Sequence, residues 1–267
     1  MIFSYGFFIN ALIGVVLLSI ASAMIGTYVV TRRLVSISGG VTHACFGGLG
    51  LGYWLGVNPV ATAALFAVAS SLGVQWMAAR HRVREDSAIA VIWALGMAVG
   101  TLFIFLTPGY VPELNAFLFG NILTISVSDL WVFAAFTVLL ALFIAMWFDK
   151  IVICAFDSDF ARVKGLPVTL ITTVMTVMTA VCIVLTIRLV GVMLLMSMLT
   201  LPQMVAEVFA RRFVGIMRLS VVVSLVCSVG GLLLATVVDV PCSALIVLIM
   251  AAVYLLARLI HTFKAKQ

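Results

Sequence analysis

Charge is scarce in this 267-residue chain: Asp, Glu, Lys and Arg together make up 9% of it. A soluble domain carries about a quarter charged residues, so a solvated globular surface is excluded. The five cysteines (Cys45, Cys154, Cys182, Cys227 and Cys242) are scattered without a CxxC pair. They read as small buried residues rather than as a disulfide framework or a zinc site. Strict dyad alternation in ten-residue segments is missing as well, which excludes a membrane β-barrel. Inside the apolar runs there is no central Asp, Lys or Arg. Carriers coupled to protons or sodium generally use buried ionisable groups or unwound ion sites. Their scarcity favours a passive pathway driven by something else. A membrane-embedded enzyme would need clustered His, Asp, Glu or Ser, and a single intramembrane histidine does not supply that.

Hydrophobic residues account for 65% of the chain, and the mean hydropathy is +1.34. Runs of this apolarity and length cross a bilayer core as helices. The expected architecture is all-α and polytopic, with spans over 7–30, 40–56, 60–79, 87–106, 129–148, 168–187, 190–209, 214–236 and 243–260. With nine spans and the N-terminus outside, fourteen of the fifteen Lys and Arg residues fall on the cytoplasmic side. They are Arg32, Arg33, Arg80, Arg82, Arg84, Lys150, Arg162, Lys164, Arg211, Arg212, Arg218, Arg258, Lys264 and Lys266, leaving Arg188 outside. This is the positive-inside distribution, so the net charge of +6 reports topology and not nucleic-acid binding. The turn at 188–190 is very short; eight full spans plus a broken or re-entrant element at 190–209 is the alternative. The first run lacks a basic n-region and is followed by Arg32-Arg33, as a retained helix would be. Trp54, Tyr110, Trp131 and Trp147 fall near span ends, as interfacial aromatics do. The long outer segment 107–128 opens with Pro108-Gly109 and Pro112, and its "NAFLFGNIL" is apolar enough to lie along or dip into the membrane. No soluble domain and no internal repeat is visible, and the whole of 1–267 reads as one transmembrane domain.

Three stretches stand out. "GGVTHACFGGLGLGYWLG" (39–56) places Gly40, Ala44, Gly48 and Gly52 on one helical stripe, the small-xxx-small pattern that lets helices approach closely. His43 lies on an adjacent row with Gly39, Gly47 and Gly50, where absent side chains would leave room for a pathway. The competing reading is a packing histidine bonded to a neighbouring helix. In "RLVGVMLLMSMLTLPQMVAEVFARR", Pro202 is expected to kink an apolar span. Ser197 and Thr200 would satisfy the freed carbonyls. Met193, Met196, Met198 and Met204 read as adaptable packing rather than a soft-metal path. In "AFDSDFARVKGLP", Asp157 and Asp159 open a short helix that ends at Gly165-Leu166-Pro167. Such a cytoplasmic helix is either an ordinary solvated loop element or a docking site for a cytosolic partner.

Over about residues 10 to 260 the chain resembles the permease subunit of metal-ion ABC importers of the zinc, manganese and iron uptake family. The resemblance rests on four motifs in order: "RRLVSISGGVTHACFGGLGLGYWLGVNP", "NAFLFGNILTISVSDL", "DSDFARVKGLP" and "RLVGVMLLMSMLTLPQMVAEVFARR". It implies a permease homodimer in the bacterial inner membrane, a separate ABC ATPase subunit that carries ATP, and an extracytoplasmic metal-binding protein. The permease would hold no permanent cofactor and would catalyse no covalent chemistry. By the resemblance, 157–166 (Asp157, Asp159, Ala161, Gly165) is the coupling segment, His43 lines the path of the divalent ion, and Pro202 bends the gating region. The family pairs that histidine with an aspartate one turn earlier, because i and i+4 project from one face. Here the aspartate position is Gly39, which cannot ligate. Three readings follow: His43 of each protomer acts with other donors, the path is less selective, or the substrate differs. The alternatives to such an importer are a permease for a metal chelate, such as a siderophore or corrinoid, and a secondary transporter without an ATPase.

Overall fold

The computed structural model describes residues 6–81, 84–109, 120 and 122–264. Arg82, Tyr110, Pro112, Lys266 and most of the outer segment's "NAFLFGN" lie outside these. The described chain is helical, with helices α1 (Gly6–Thr31), α2 (Val35–Leu55), α3 (Pro59–His81), α4 (Glu85–Leu106), α5 (Val127–Phe156), α6 (Ser158–Val163), α7 (Val168–Met198), α8 (Leu201–Phe209), α9 (Phe213–Val238) and α10 (Cys242–Lys264). A 3-10 turn at Ile122–Thr124 precedes α5. Among the described residues seven helical stretches are long and apolar enough to cross a membrane: α1, α3, α4, α5, Val168–Phe209, α9 and α10. The protein is a multi-pass membrane protein. Helix α2 is 21 residues long, about 31 Å at 1.5 Å per residue, yet falls short on apolarity because glycine, serine, threonine and histidine replace larger side chains.

The chain forms two compact units. One comprises Met1–Arg33, Leu118–Phe148 and Leu189–Gln267. Its core is built on α1, where Ala11, Val15, Leu18, Ala21 and Ile25 are fully buried. The outer segment packs onto α1: Asn10 Nδ2 donates to the Ile125 carbonyl at 3.2 Å, and Ile122 and Ile125 are buried. Helix α5 begins with a local cap, Ser126 Oγ accepting from the Asp129 N–H at 3.2 Å. The helix buries Phe133, Thr137, Leu140 and Ile144 while exposing Trp131, Val138, Leu142 and Met146. Both faces are apolar, as expected of a helix with protein on one side and lipid on the other.

The sequence expectation of a separate span at 190–209 is corrected here. Helix α7 has no loop at 188–190; the chain turns at Gly191 (φ 79, ψ 173) and the helix resumes only to Met198. A second break follows at Leu199–Thr200, before α8. Gly191 adopts a backbone conformation that a side chain disfavours. It is also pressed by Gly120, where any Cβ would strike the Val190 carbonyl. At the other end of this segment Gln203 abuts Gly26, five residues from the end of α1 and its Arg32-Arg33. The stretch 192–209 therefore leads from the outer segment to the basic end of the unit as two short helical pieces. Among the described residues Val168–Phe209 is one apolar stretch of spanning length, broken at Gly191 and again before α8, which is the broken element of the alternative given above.

The other unit comprises Leu34–Phe117 and Asp149–Arg188. Helices α2, α3 and α4 form its tight centre, and Gln75 Nε2 of α3 donates to Thr173 Oγ1 of α7 at 3.0 Å. Helix α5 enters this unit beyond Trp147, whose backbone is non-helical (φ −114, ψ 17); the helix runs on to Phe156 instead of ending at the expected 148.

Candidate functional site

The glycines of α2 serve two neighbours. Gly40 lies against Ile89, Gly47 against the Gly96 carbonyl and Gly50 against Gly100, all on α4. Gly48 and Gly52 lie against Thr62, Ala63 and Pro59 of α3. The contacts with α4 rise together in residue number, so α2 and α4 run parallel; those with α3 run in opposite order, so α3 is antiparallel to α2. A stripe at four-residue spacing drifts by about 40° per step on a 3.6-residue helix. That drift turns Gly40 and Ala44 toward α4 and Gly48 and Gly52 toward α3. The row of Gly39, Gly47 and Gly50 was expected to leave open space beside His43. At Gly47 and Gly50 that space is filled by the α4 backbone: a Cβ on Gly47 would lie 2.9 Å from the Gly96 oxygen.

His43 is half-buried in this ladder. Its ring stacks on Trp93 of α4 with centroids 4.6 Å apart and planes 2° from parallel. Neither ring nitrogen has a hydrogen-bond partner among the described residues. A packing histidine would spend a nitrogen on a neighbouring helix; this one is held through its face and keeps both nitrogens free. Trp93 went unnoticed in the sequence, although a tryptophan in the middle of a span, away from the interface, is the signal that could have found it.

The second constellation surrounds the break in the 192–209 crossing. Pro202 occupies the first turn of α8, so it begins a helix rather than kinking one. Its missing N–H would have paired with the Met198 carbonyl. Gln203 supplies the substitute, its Nε2 donating to Met198 O at 3.3 Å and to Ser22 O of α1 at 3.1 Å. Ser197 and Thr200 were expected to satisfy the carbonyls freed by proline; they donate instead to Met193 O and Met196 O at 3.2 and 2.8 Å. Met198 is fully buried, and its Sδ accepts from Ser224 at 3.1 Å and Ser228 at 3.6 Å. Gln203 is the residue that sequence reasoning missed, and an amide inside an apolar run was the available signal.

The third is the short cytoplasmic helix. Asp157 is its N-cap, Oδ1 accepting from the N–H groups of Asp159 and Phe160 at 3.1 and 2.9 Å. Gly165 (φ 72) closes it, with Gly165 N–H donating to Arg162 O at 2.9 Å and Leu166 N–H to Ala161 O at 3.0 Å, the Schellman pattern. Asp159 pairs with Arg162 at 3.2 Å on the exposed side. Ala161 is fully buried, while Phe160 and Val163 are exposed at 48% and 87%. The helix is thus anchored through one methyl and offers an apolar pair outward. His43, the α2 seam and this helix belong to one unit, and Ser197, Thr200 and Pro202 to the other. Among the described residues, no three His, Cys, Asp or Glu side chains come together as a metal-holding cluster.

Comparison with known proteins identifies the family. A sequence model of the ABC 3 transport family matches residues 4–261. A Chlamydia pneumoniae protein named probable metal transport system membrane protein is 36% identical over 88% of this chain and 83% of its own. A manganese transport system membrane protein of Halalkalibacterium halodurans is 26% identical over 95% of this chain and 87% of its own. Among solved structures, PsaBC from Streptococcus pneumoniae in complex with Fab contains a chain that superposes with a TM-score of 0.83 at 24% identity, covering 95% of this chain and 91% of that one; the match shows a shared fold. With a match across nearly its full length and a relative above 30% identity, the chain belongs to the ABC 3 transport family.

Proposed function

We propose that this protein is the permease subunit of an ATP-driven importer of a divalent transition-metal ion, zinc or manganese first and iron after them, in the bacterial inner membrane. The observation that carries the reading is the family match over residues 4–261, joined by relatives named for metal and manganese transport. The permease works as a homodimer with a separate ABC ATPase subunit and receives its ion from an extracytoplasmic metal-binding protein. It hydrolyses nothing itself. ATP turnover in the partner reaches the membrane through α6, whose exposed Phe160 and Val163 seat in the ATPase. The ion is cargo: it passes His43, whose free nitrogens give a transient ligand from each protomer. The broken crossing at Pro202 supplies the bend that opens and closes the path.

The test is metal uptake by the assembled transporter. His43→Ala should lower uptake by roughly tenfold, the scale of losing a contribution to metal affinity, while the ATPase still co-purifies. Unchanged uptake would remove the ligand role. The metal content of the partner binding protein identifies the ion.

A further inference from the structure

The basic end of the first unit holds a cleft that the transport reading does not use. It has a volume of about 310 Å³ and is bordered by Glu207 and Phe209 of α8, Arg211, and Tyr254, Arg258 and His261 of α10. The side chains of Arg211, Arg258 and Glu207 have no ion-pair partner among the described residues, and the Tyr254 hydroxyl has no hydrogen bond there. Two arginines against one glutamate leave a formal net charge of about +1 at the rim. That is the complement of one singly charged anion.

The surroundings say where such an anion comes from. Leu255, Leu256, Leu259 and Ile260 are exposed at 50–60% and Phe263 at 71%, so the outer face of α10 stays apolar past Arg258 and His261. Guanidinium groups set among exposed aliphatic side chains mark the depth at which headgroups meet acyl chains. A tyrosine with its hydroxyl turned to the polar side is the usual companion there. Cytoplasmic-side basic pockets between membrane helices suit anionic headgroups. A soluble partner would leave the apolar face uncovered, whereas a phospholipid covers it with its own chains.

We infer that this cleft binds the headgroup of a singly charged anionic phospholipid of the cytoplasmic leaflet, with Arg211 and Arg258 on the phosphodiester and the acyl chains along the exposed face of α10. Glu207 works against this binding and limits it to modest affinity.

The full-length protein in a neutral detergent is titrated with dioleoylphosphatidylglycerol, dioleoylphosphatidylcholine and inorganic phosphate, read by native mass spectrometry and by the rise in melting temperature. Phosphatidylglycerol should bind, and Arg211→Gln and Arg258→Gln should each weaken it about fivefold, the share of one basic residue near an anionic surface. Glu207→Gln should tighten it, a gain that misfolding cannot imitate. Arg218→Gln, outside the cleft, should change nothing. Equal binding of phosphatidylcholine, or full binding by the Arg211→Gln, Arg258→Gln double variant, overturns the proposal. Inorganic phosphate binding as tightly as the lipid overturns it in favour of a soluble anion. Loss of ATPase co-purification in the arginine variants with lipid binding intact overturns it in favour of a protein contact.

Discussion

One methyl group separates a helix pair that closes from one that cannot. At Gly50 an added Cβ would meet the backbone of Gly100 on α4, and backbone does not swing aside as a side-chain end does. Gly50→Ala should destabilise the protein by ~1–3 kcal/mol, the range for overpacking a filled core, seen as a lower melting temperature in detergent. Gly230 lies inside α9 with nothing within 4 Å of its would-be Cβ. There Gly230→Ala should leave the melting temperature unchanged or raise it, by up to ~1 kcal/mol of recovered helix propensity. Sequence spacing identified α2 as a small-residue helix but could not distribute its glycines, because a four-residue stripe drifts around the helix and meets two partners. His43 was legible as the lone imidazole in an apolar run. Its partner Trp93 was not, since nothing in a single sequence aligns level 43 of one helix with level 93 of another.

Helix α6 is six residues long, too short to persist on propensity alone; its two caps hold it. Asp157→Ala removes both side-chain hydrogen bonds at the start and should cost ~1 kcal/mol of local stability. Gly165→Ala forces a Cβ into a left-handed residue (φ 72) for ~1–2 kcal/mol. Either change should raise ATP hydrolysis per ion imported by the assembled transporter, and an unaltered ratio would take α6 out of the coupling path. This element was readable because acid-first, glycine-last punctuation acts within a few residues. The broken crossing was read only in part. Pro202 announced a disturbance, but whether it kinks a helix or begins one depends on the break at Leu199–Thr200. That break persists because Gln203 reaches the orphaned Met198 carbonyl and Ser22 on α1, a contact 181 residues apart in sequence.

Each unit carries part of the order of passages. In one unit, parallel α2 and α4 with α3 reversed put the starts of α2 and α4 at the same end; in the other, the 192–209 segment leads to Arg211 and Arg212. With the N-terminus outside and nine passages, Asp239, in the left-handed turn between α9 and α10, is expected to face outward and Lys264 inward. A cysteine at Asp239 should react with a membrane-impermeant maleimide added to intact cells, while one at Lys264 should react only after permeabilisation; the reverse pattern would remove the broken segment from the count of crossings. The native thiols give little background, four of the five being buried. The sidedness expectation comes from charge asymmetry alone, whereas helix faces were not legible, because α5 buries and exposes equally apolar residues. The glycines of α2 carry one more consequence, for how the protein is made. A helix that has surrendered its side chains so that neighbours can touch its backbone has little affinity of its own for lipid. As it leaves the ribosome it has not yet met α3 or α4, the two helices that its glycines touch. Stable membrane integration of α2 is therefore expected to be completed only when α3 and α4 arrive.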